Sequence, residues 1–392
     1  DNCPGDIIIS FSADTSDQCR IFLCNQTYLD LPIEIWATDA AGNQAHCETT
    51  IYIQDNMFSC DSNVPIYGKI SNWKQQAVAG VKVQLNGSMG NLDFVTQADG
   101  DYSFEDLEEG DYTIAPHKNT EPLNGVTTFD LVLISRHILN IDKLASPFQI
   151  IAADANHSGA VTTFDLVALR KLVLFIEDEL PGNTSWRFVP KSFQFPNPSD
   201  PWQTPFPEVL SFNNLDEEVS DAHFIAIKIG DINGNANPNF GGDNANEDRG
   251  SQSPLILEAN EQSFQAGETV QATFRAKDFK QVAGFQFTLD FDPKQLEFQR
   301  IVSTGEGAGG LLGEENFGLK KAGEGKLTAS WYEPHPVSLE DETTLFTVEF
   351  LAKTSGKLAS ALQVNSSLTT AEAYLGEGLE IRDVELTIQP FN

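Results

Sequence analysis

Along most of this chain apolar and polar residues alternate with a period of two, the pattern of strands with one buried face. Near the N-terminus the pattern predicts strands over Asp6 to Phe11, Leu31 to Ala37 and Glu48 to Ile53. A second group follows at Ile66 to Ile70, Val81 to Leu85, Thr96 to Phe104 and Leu107 to Ile114. A third begins at Leu255 to Ala259 and includes Val282 to Pro293, Leu296 to Phe298 and Leu345 to Phe350. Two stretches switch to helical spacing: Leu131 to Leu139, with Leu131, Ile134 and Ile138 on one face, and Leu166 to Phe175, with Leu166, Leu169 and Val173. Thr127 and Thr162 are suitable N-caps, with Asp130 and Asp165 three residues on, much as in a capping box. The predicted fold class is mainly β: tandem β-sandwich domains with a small helical module between them.

The two helices begin with the same words. Val126-Thr127-Thr128-Phe129-Asp130-Leu131-Val132 returns 35 positions later as Val161-Thr162-Thr163-Phe164-Asp165-Leu166-Val167, and an internal repeat is stronger evidence than any single residue. Before the second copy stands Asp154-Ala155-Asn156-His157-Ser158-Gly159. Counted from Asp154, side-chain oxygens fall at loop positions 1, 3, 5, 9 and 12 (Asp154, Asn156, Ser158, Thr162, Asp165), Gly159 is sixth, and Ala160 offers a carbonyl at position 7. That rhythm suits Ca2+, a hard cation that gathers roughly six to eight oxygens around a sharp glycine turn. With Asp closing the loop and an apolar helix following at once, the segment resembles a dockerin module.

Before the first copy the spacing fails, since Leu123 falls where an oxygen is needed. Further on, Asp231-Ile232-Asn233-Gly234-Asn235 supplies the opening half of such a loop, with Gly242 where the closing carboxylate belongs. Asp231, Asn233 and Asn235 are therefore expected to fold back and complete a calcium site with Asp130. His137 and His157 are expected at the surface.

These segments predict five regions. Residues 1–60 resemble the tail of an HYR-like sandwich through Ala37-Thr38-Asp39-Ala40-Ala41-Gly42-Asn43 and the strand after it. An incomplete sandwich of this kind implies a sheet edge open to a strand from elsewhere. Residues 61–117 look like a carboxypeptidase-regulatory-like or Cna-B-like sandwich, and 118–239 form the dockerin-like module with an inserted loop. Residues 240–254, rich in Gly, Asn, Asp and Ser, read as a linker. Residues 255–392 resemble a cohesin-like jelly roll through Gly284-Phe285-Gln286-Phe287-Thr288-Leu289-Asp290-Phe291-Asp292-Pro293. Cohesins are the partners of dockerins, and the module order resembles secreted multidomain bacterial proteins.

Composition narrows the function. Lys and Arg number 24 against 57 Asp and Glu, a net charge of −33, so nucleic acid is not an expected partner. No apolar run is long enough to span a membrane as a helix. All five cysteines (Cys3, Cys19, Cys24, Cys47, Cys60) lie in the first sixty residues, which suggests a disulfide-stapled module in an extracellular or cell-surface setting; their pairing cannot be read from sequence. The chain opens at Asp1 without Met, as a processed or partial product does. No metalloprotease, nucleophile-elbow or phosphate-loop motif occurs, and every segment has a binding or structural reading, so no enzyme activity is expected. The expectation is a non-enzymatic, calcium-stabilised structural protein. It would assemble with itself or another secreted modular protein through cohesin-like/dockerin-like or strand-edge contacts, and so into filaments. The alternative is a monomeric surface adhesin or carbohydrate-binding stalk, with polysaccharide as a candidate ligand.

Overall fold

A computed structural model describes residues 6–22, 26–54, 56, 64–87, 90–239, 253–302 and 310–390. At the N-terminus β1 (Ile8–Ser10), β2 (Asp30–Thr38) and β3 (Gln44–Tyr52) form one antiparallel sheet. The β2–β3 turn is held by the Asp39 carboxylate, which accepts the N–H groups of Ala41 and Asn43 at 2.9 and 2.8 Å. Pro32 sits inside β2, yet β1 pairs only with Trp36, Ala37 and Thr38, so the proline lies where β2 has a neighbour on one side. That satisfies its missing donor. Ile33 is buried, while Ile7, Ile9, Tyr28 and Leu29 remain exposed. Cys19 and Cys47 are exposed free thiols, so neither joins the disulfide framework expected from composition; Cys3, Cys24 and Cys60 lie outside the described residues.

The next unit opens with β4 (Val64–Asn72), β5 (Lys82–Gly87), β6 (Gly90–Val95), β7 (Asp101–Leu107) and β8 (Gly110–His117). The chain then forms three helices, α1 (Thr128–Ile138), α2 (Pro147–Ala153) and α3 (Thr163–Val173), and returns as β9 (Trp186–Pro190), β10 (Leu210–Leu215) and β11 (Phe224–Lys228). The returning strands enter the same sandwich, whose sheets run β10-β8-β5-β6 and β7-β4-β11-β9. Ile66, Val83 and Ile114 share one core with Trp186 and Phe224. The boundary expected at residue 117 is thus crossed by strands from beyond the helices. Without them β4 and β8 would each leave an open edge. Local alternation reveals a strand but not the distant edge it covers.

The helices pack on the outer side of the returning strands. Leu131, Ile134, Ile151, Leu166 and Leu169 form a core with Ile227, Ile229 and Ile232. The Pro- and Phe-rich stretch after β9 is ordered by aromatic edges: Phe193–Phe195, Phe148–Phe195 and Phe195–Phe206 centroids lie 5.0, 5.8 and 5.8 Å apart.

The C-terminal sandwich contains β12 (Leu255–Asn260), β13 (Ser263–Phe264), β14 (Thr269–Lys277), β15 (Val282–Phe291), β16 (Leu296–Ile301), β17 (Phe317–Gly318), β18 (Lys326–Val337), β19 (Thr344–Ala352), β20 (Gly356–Lys357), β21 (Leu362–Asn365), β22 (Glu372–Leu375) and β23 (Glu380–Gln389). One side runs β16-β19-β14-β12-β23 and the other β23-β22-β15-β18-β17, so β23 joins the two. Phe274, Phe285, Phe287, Phe346 and Phe350 fill the space between, with Phe274 and Phe346 stacked at 4.2 Å. On β15 and β18 the alternate positions Gln286, Thr288, Thr328 and Ser330 are polar and also buried. Polar side chains shielded from water require partners: Thr288 finds its own within the sandwich, at the backbone of Leu368 and Thr369, whereas Gln286, Thr328 and Ser330 are met from the helices.

Candidate metal loops and the face beside them

The contiguous loop runs from Asp154 into α3. The Asp154 carboxylate accepts the N–H groups of Ser158 (2.8 Å) and Gly159 (2.9 Å), and Asn156 Oδ1 accepts Ser158 N–H at 3.0 Å. Asp165 closes the ring: one oxygen accepts Asn156 N–H at 3.1 Å, the other Thr162 N–H at 2.8 Å. Gly159 turns with φ +77°, which an L side chain rarely adopts. Ser158 Oγ lies 3.2 Å from the Ala160 carbonyl. Burial holds the Asp165 carboxyl above the ordinary carboxylate range, against the pull of its N–H donors, and the Asp154 charge adds to the rise.

The second assembly has the same design in two pieces. Asp231 accepts N–H groups from Asn235 (3.1 Å) and Ala236 (3.0 Å), and Asn233 Oδ1 accepts Asn235 N–H at 3.0 Å. These match the bonds of Asp154 and Asn156 position by position. The closing carboxylate is Asp130, about a hundred residues away in sequence: one oxygen accepts Ile232 N–H at 2.7 Å and Asn233 N–H at 3.4 Å, the other Thr127 N–H at 2.9 Å. Asn124 and Asn237 stitch the pieces together, with Nδ2–H donating to the Asn237 carbonyl (2.7 Å) and Oδ1 accepting Asn237 N–H (2.9 Å). At Gly125 a Cβ would lie 2.6 Å from the backbone of Ala236, so only glycine admits the join. Residues 119–123 have no part in this ring; Asn119 Oδ1 instead accepts Ser185 N–H at 2.8 Å.

The split loop is the more buried. Burial, and then the Asp231 charge, hold the Asp130 carboxyl well above its ordinary range. Asp231 is raised as well, by burial that outweighs its N–H donors and the attraction of Lys228. The buried Lys228 is pushed down to about 8, with Asp231 and Asp130 resisting that fall. Its ammonium donates to the carbonyls of Pro122 (2.7 Å) and Ile229 (3.0 Å). Each ring joins two carboxylates to neutral amide or hydroxyl oxygens. Among the described residues no three His, Cys, Asp or Glu gather as a metal group. An all-oxygen set of low charge fits calcium and excludes soft metals. Two adjacent buried carboxylates repel unless protonated or neutralised by a cation.

The start of α1 leads from the split loop onto the C-terminal sandwich. Thr128 N–H donates to Gln286 Oε1 at 2.7 Å, and its hydroxyl lies 2.7 Å from that of Ser330. Val132 is buried with Ala283, Tyr374 and Leu379, while Phe129 meets Tyr374 edge to face at 5.3 Å. Arg136 donates to the carbonyls of Pro334 (2.9 Å) and Glu377 (2.8 Å). From the other helix, the carbonyls of Leu174 and Val173 accept the hydroxyls of Thr328 (2.7 Å) and Thr369 (2.9 Å). Arg170 lies over the Tyr332 ring at 4.8 Å. Arg136, a charged residue in the last turn of α1, is buried by this contact, which helical spacing does not foretell. The available signal was the repeat itself, which keeps Phe and Val where neither the cap nor the loop uses them.

Comparison with known proteins bears on the sandwich that receives α1. Residues 255–384, about a third of the chain, match the family model of the cohesin domain. The C-terminal sandwich is a cohesin domain. Similar solved structures include the sixth cohesin of scaffoldin B from Acetivibrio cellulolyticus, in complex with a mutant Cel5 dockerin; it is 17% identical, covers 36% of this chain and 100% of its own, and has a TM-score of 0.27. A type II cohesin domain from the cellulosome of the same organism is 14% identical, covers 35% and 92%, and scores 0.25. CaCohA2 from Clostridium acetobutylicum is 14% identical, covers 35% and 92%, and scores 0.23. No curated protein matches the chain.

Proposed function

We propose that this chain is a non-enzymatic, secreted or cell-surface modular protein that assembles through cohesin–dockerin-type contacts and is stabilised by calcium. The observation that carries this reading is the seating of α1 on the cohesin domain, through Thr128, Phe129, Val132 and Arg136, directly beside the split loop. A cohesin domain is a non-catalytic interaction module, and the repeat helices lie against it with paired hydrogen bonds and an apolar centre. Calcium would be held by Asp154, Asn156, Ser158, Ala160, Thr162 and Asp165 in one loop, and by Asp130, Asp231, Asn233 and Asn235 in the other. Bound there, it would neutralise the carboxylates; the protein's own part is to hold those oxygens in place.

The contact lies within one chain, which alters the expected head-to-tail filament. The face expected to grip the next copy is already covered, so assembly through it requires that α1 lift away. The same observation favours the alternative of a monomer with internally packed modules. Small-angle scattering of the wild type and Val132→Asp in millimolar calcium tests the reading. A charge placed among Ala283, Tyr374 and Leu379 should open the contact and raise the radius of gyration. An unchanged radius would count against it.

A further inference from the structure

The N-terminal sheet leaves one long edge bare. Among the described residues β3 (Gln44–Tyr52) pairs only with β2, in unbroken register from Asp30↔Tyr52 to Thr38↔Gln44. Eight of its nine residues are exposed, so both of its faces meet solvent. Sheets ordinarily blunt such an edge with Lys, Pro or a bulge, and β3 has none of these. The turn before it fixes which backbone groups point outward. Asp39 N–H donates to the Asn43 carbonyl at 3.0 Å, so these two form a hydrogen-bonded pair, and such pairs alternate along the hairpin. Ala45, Cys47 and Thr49 therefore turn their backbone groups towards β2. Gln44, His46, Glu48 and Thr50 direct theirs away from it.

We infer that the β3 edge pairs antiparallel with the β3 edge of a second copy, across a twofold axis at Cys47. The occupant follows from the charges along the strand. Outward groups must meet outward groups, so the axis passes through a residue of β3, and an axis near either end shortens the pairing. An axis at Glu48 sets that carboxylate against its own copy, and like charges directly opposite are destabilising. An axis at Thr49 leaves Glu48 opposite an uncharged Thr50. With the axis at Cys47, His46 faces the partner's Glu48 twice and Gln44 faces the partner's Thr50 twice. Stacking on Trp36, with ring centroids 4.4 Å apart, already holds the His46 ring in place. Cys47 then forms a non-hydrogen-bonded pair with its own copy, where Cα atoms lie about 4.5 Å apart, within the span of about 4.4–6.8 Å that a disulfide bridges. Its thiol is free and exposed. The oxidant is a small-molecule disulfide such as oxidised glutathione. One Cys47 thiolate attacks it and releases one reduced glutathione, and the partner's Cys47 thiolate displaces the second. One S–S bond forms as one breaks; two electrons and both thiol protons pass to glutathione. The contact is isologous and closes as a dimer.

This edge shares no residue with the contact between α1 and the cohesin domain, so its test stands apart from that reading. The full chain, equilibrated in a glutathione redox buffer, should give a disulfide-linked dimer on non-reducing gels. Mass spectrometry of its digest should identify a peptide joined Cys47 to Cys47. Cys47→Ser should abolish the dimer, and Cys19→Ser should leave it unchanged. H46E sets two carboxylates against the partner's Glu48 and should raise the protein concentration for half-dimerisation about tenfold. H46E/E48K restores opposite charges and should recover it. Both positions are exposed, so circular dichroism of the reduced variants should match wild type. A dimer bridged through another cysteine, a Cys47 bridged within its own chain, or H46E dimerising as readily as wild type would overturn the twofold pairing. None of those outcomes bears on the cohesin contact.

Discussion

The two oxygen-lined loops do the same local job with different connectivity. In the loop from Asp154 to Asp165, twelve consecutive residues supply every group, and the chain between them is too short to separate. In the other, Asp231, Asn233 and Asn235 close onto Asp130 across a span containing all three helices and three strands. A contiguous loop organises one helix start. A split loop ties the beginning of a module to its end, so what it holds is tertiary structure. It also borders the cohesin face through Thr127 and Thr128, whereas the start of α3 faces solvent.

The largest expected effect on this contrast is that of metal removal. At a thousandfold excess over its Kd, a bound calcium would stabilise by about 4 kcal/mol per site, so on the proposed reading EDTA should markedly lower the unfolding temperature of the helical module in calorimetry. An unchanged scan would remove calcium from both loops. Next is Asp130→Ala, which deprives Thr127 and Ile232 N–H of their acceptor, one of them fully buried. It should cost about 4 kcal/mol, against about 2 for Asp165→Ala, whose partners water can reach. Equal losses in denaturant titration would show that the split confers nothing. The smallest pair is Val132→Ala, expected to cost about 2 kcal/mol of the domain contact, and Val167→Ala, expected to stay within about 0.5.

pH sharpens the same comparison. In metal-free protein the folded carboxyls of Asp130 and Asp165 bind their protons more tightly than the unfolded chain does. That contribution is complete below the ordinary carboxylate value of about 4 and is lost as pH rises through the raised folded values. Thermal scans in EDTA should therefore show stability falling from about pH 4 towards neutrality, more steeply in wild type than in Asp130→Asn. In calcium the slope should reverse, since protons and metal compete for the same oxygens.

Much of this was legible from residues alone. The strand Val282 to Phe291 shows its alternation, and the capping boxes at Thr127 and Thr162 follow from Thr-x-x-Asp spacing. The opening Asp231-x-Asn233-x-Asn235 was legible as half a loop, and Leu123 as the reason the first copy needed one. The entry of β9, β10 and β11 into the sandwich was not legible, because strand partners so distant in sequence leave no local mark. Nor was the cover over Gln286 and Ser330: both look like solvent-facing positions of an amphipathic strand until α1 is laid on them.

The most direct measurement is calcium stoichiometry by native mass spectrometry or titration calorimetry on EDTA-stripped full chain. Wild type should bind two ions, Asp154→Ala one and Asp231→Ala one, the last showing that the half loop opened by Asp231 completes a site with Asp130. A chain that takes up no calcium, or an Asp231→Ala variant that still binds two, would contradict the split site.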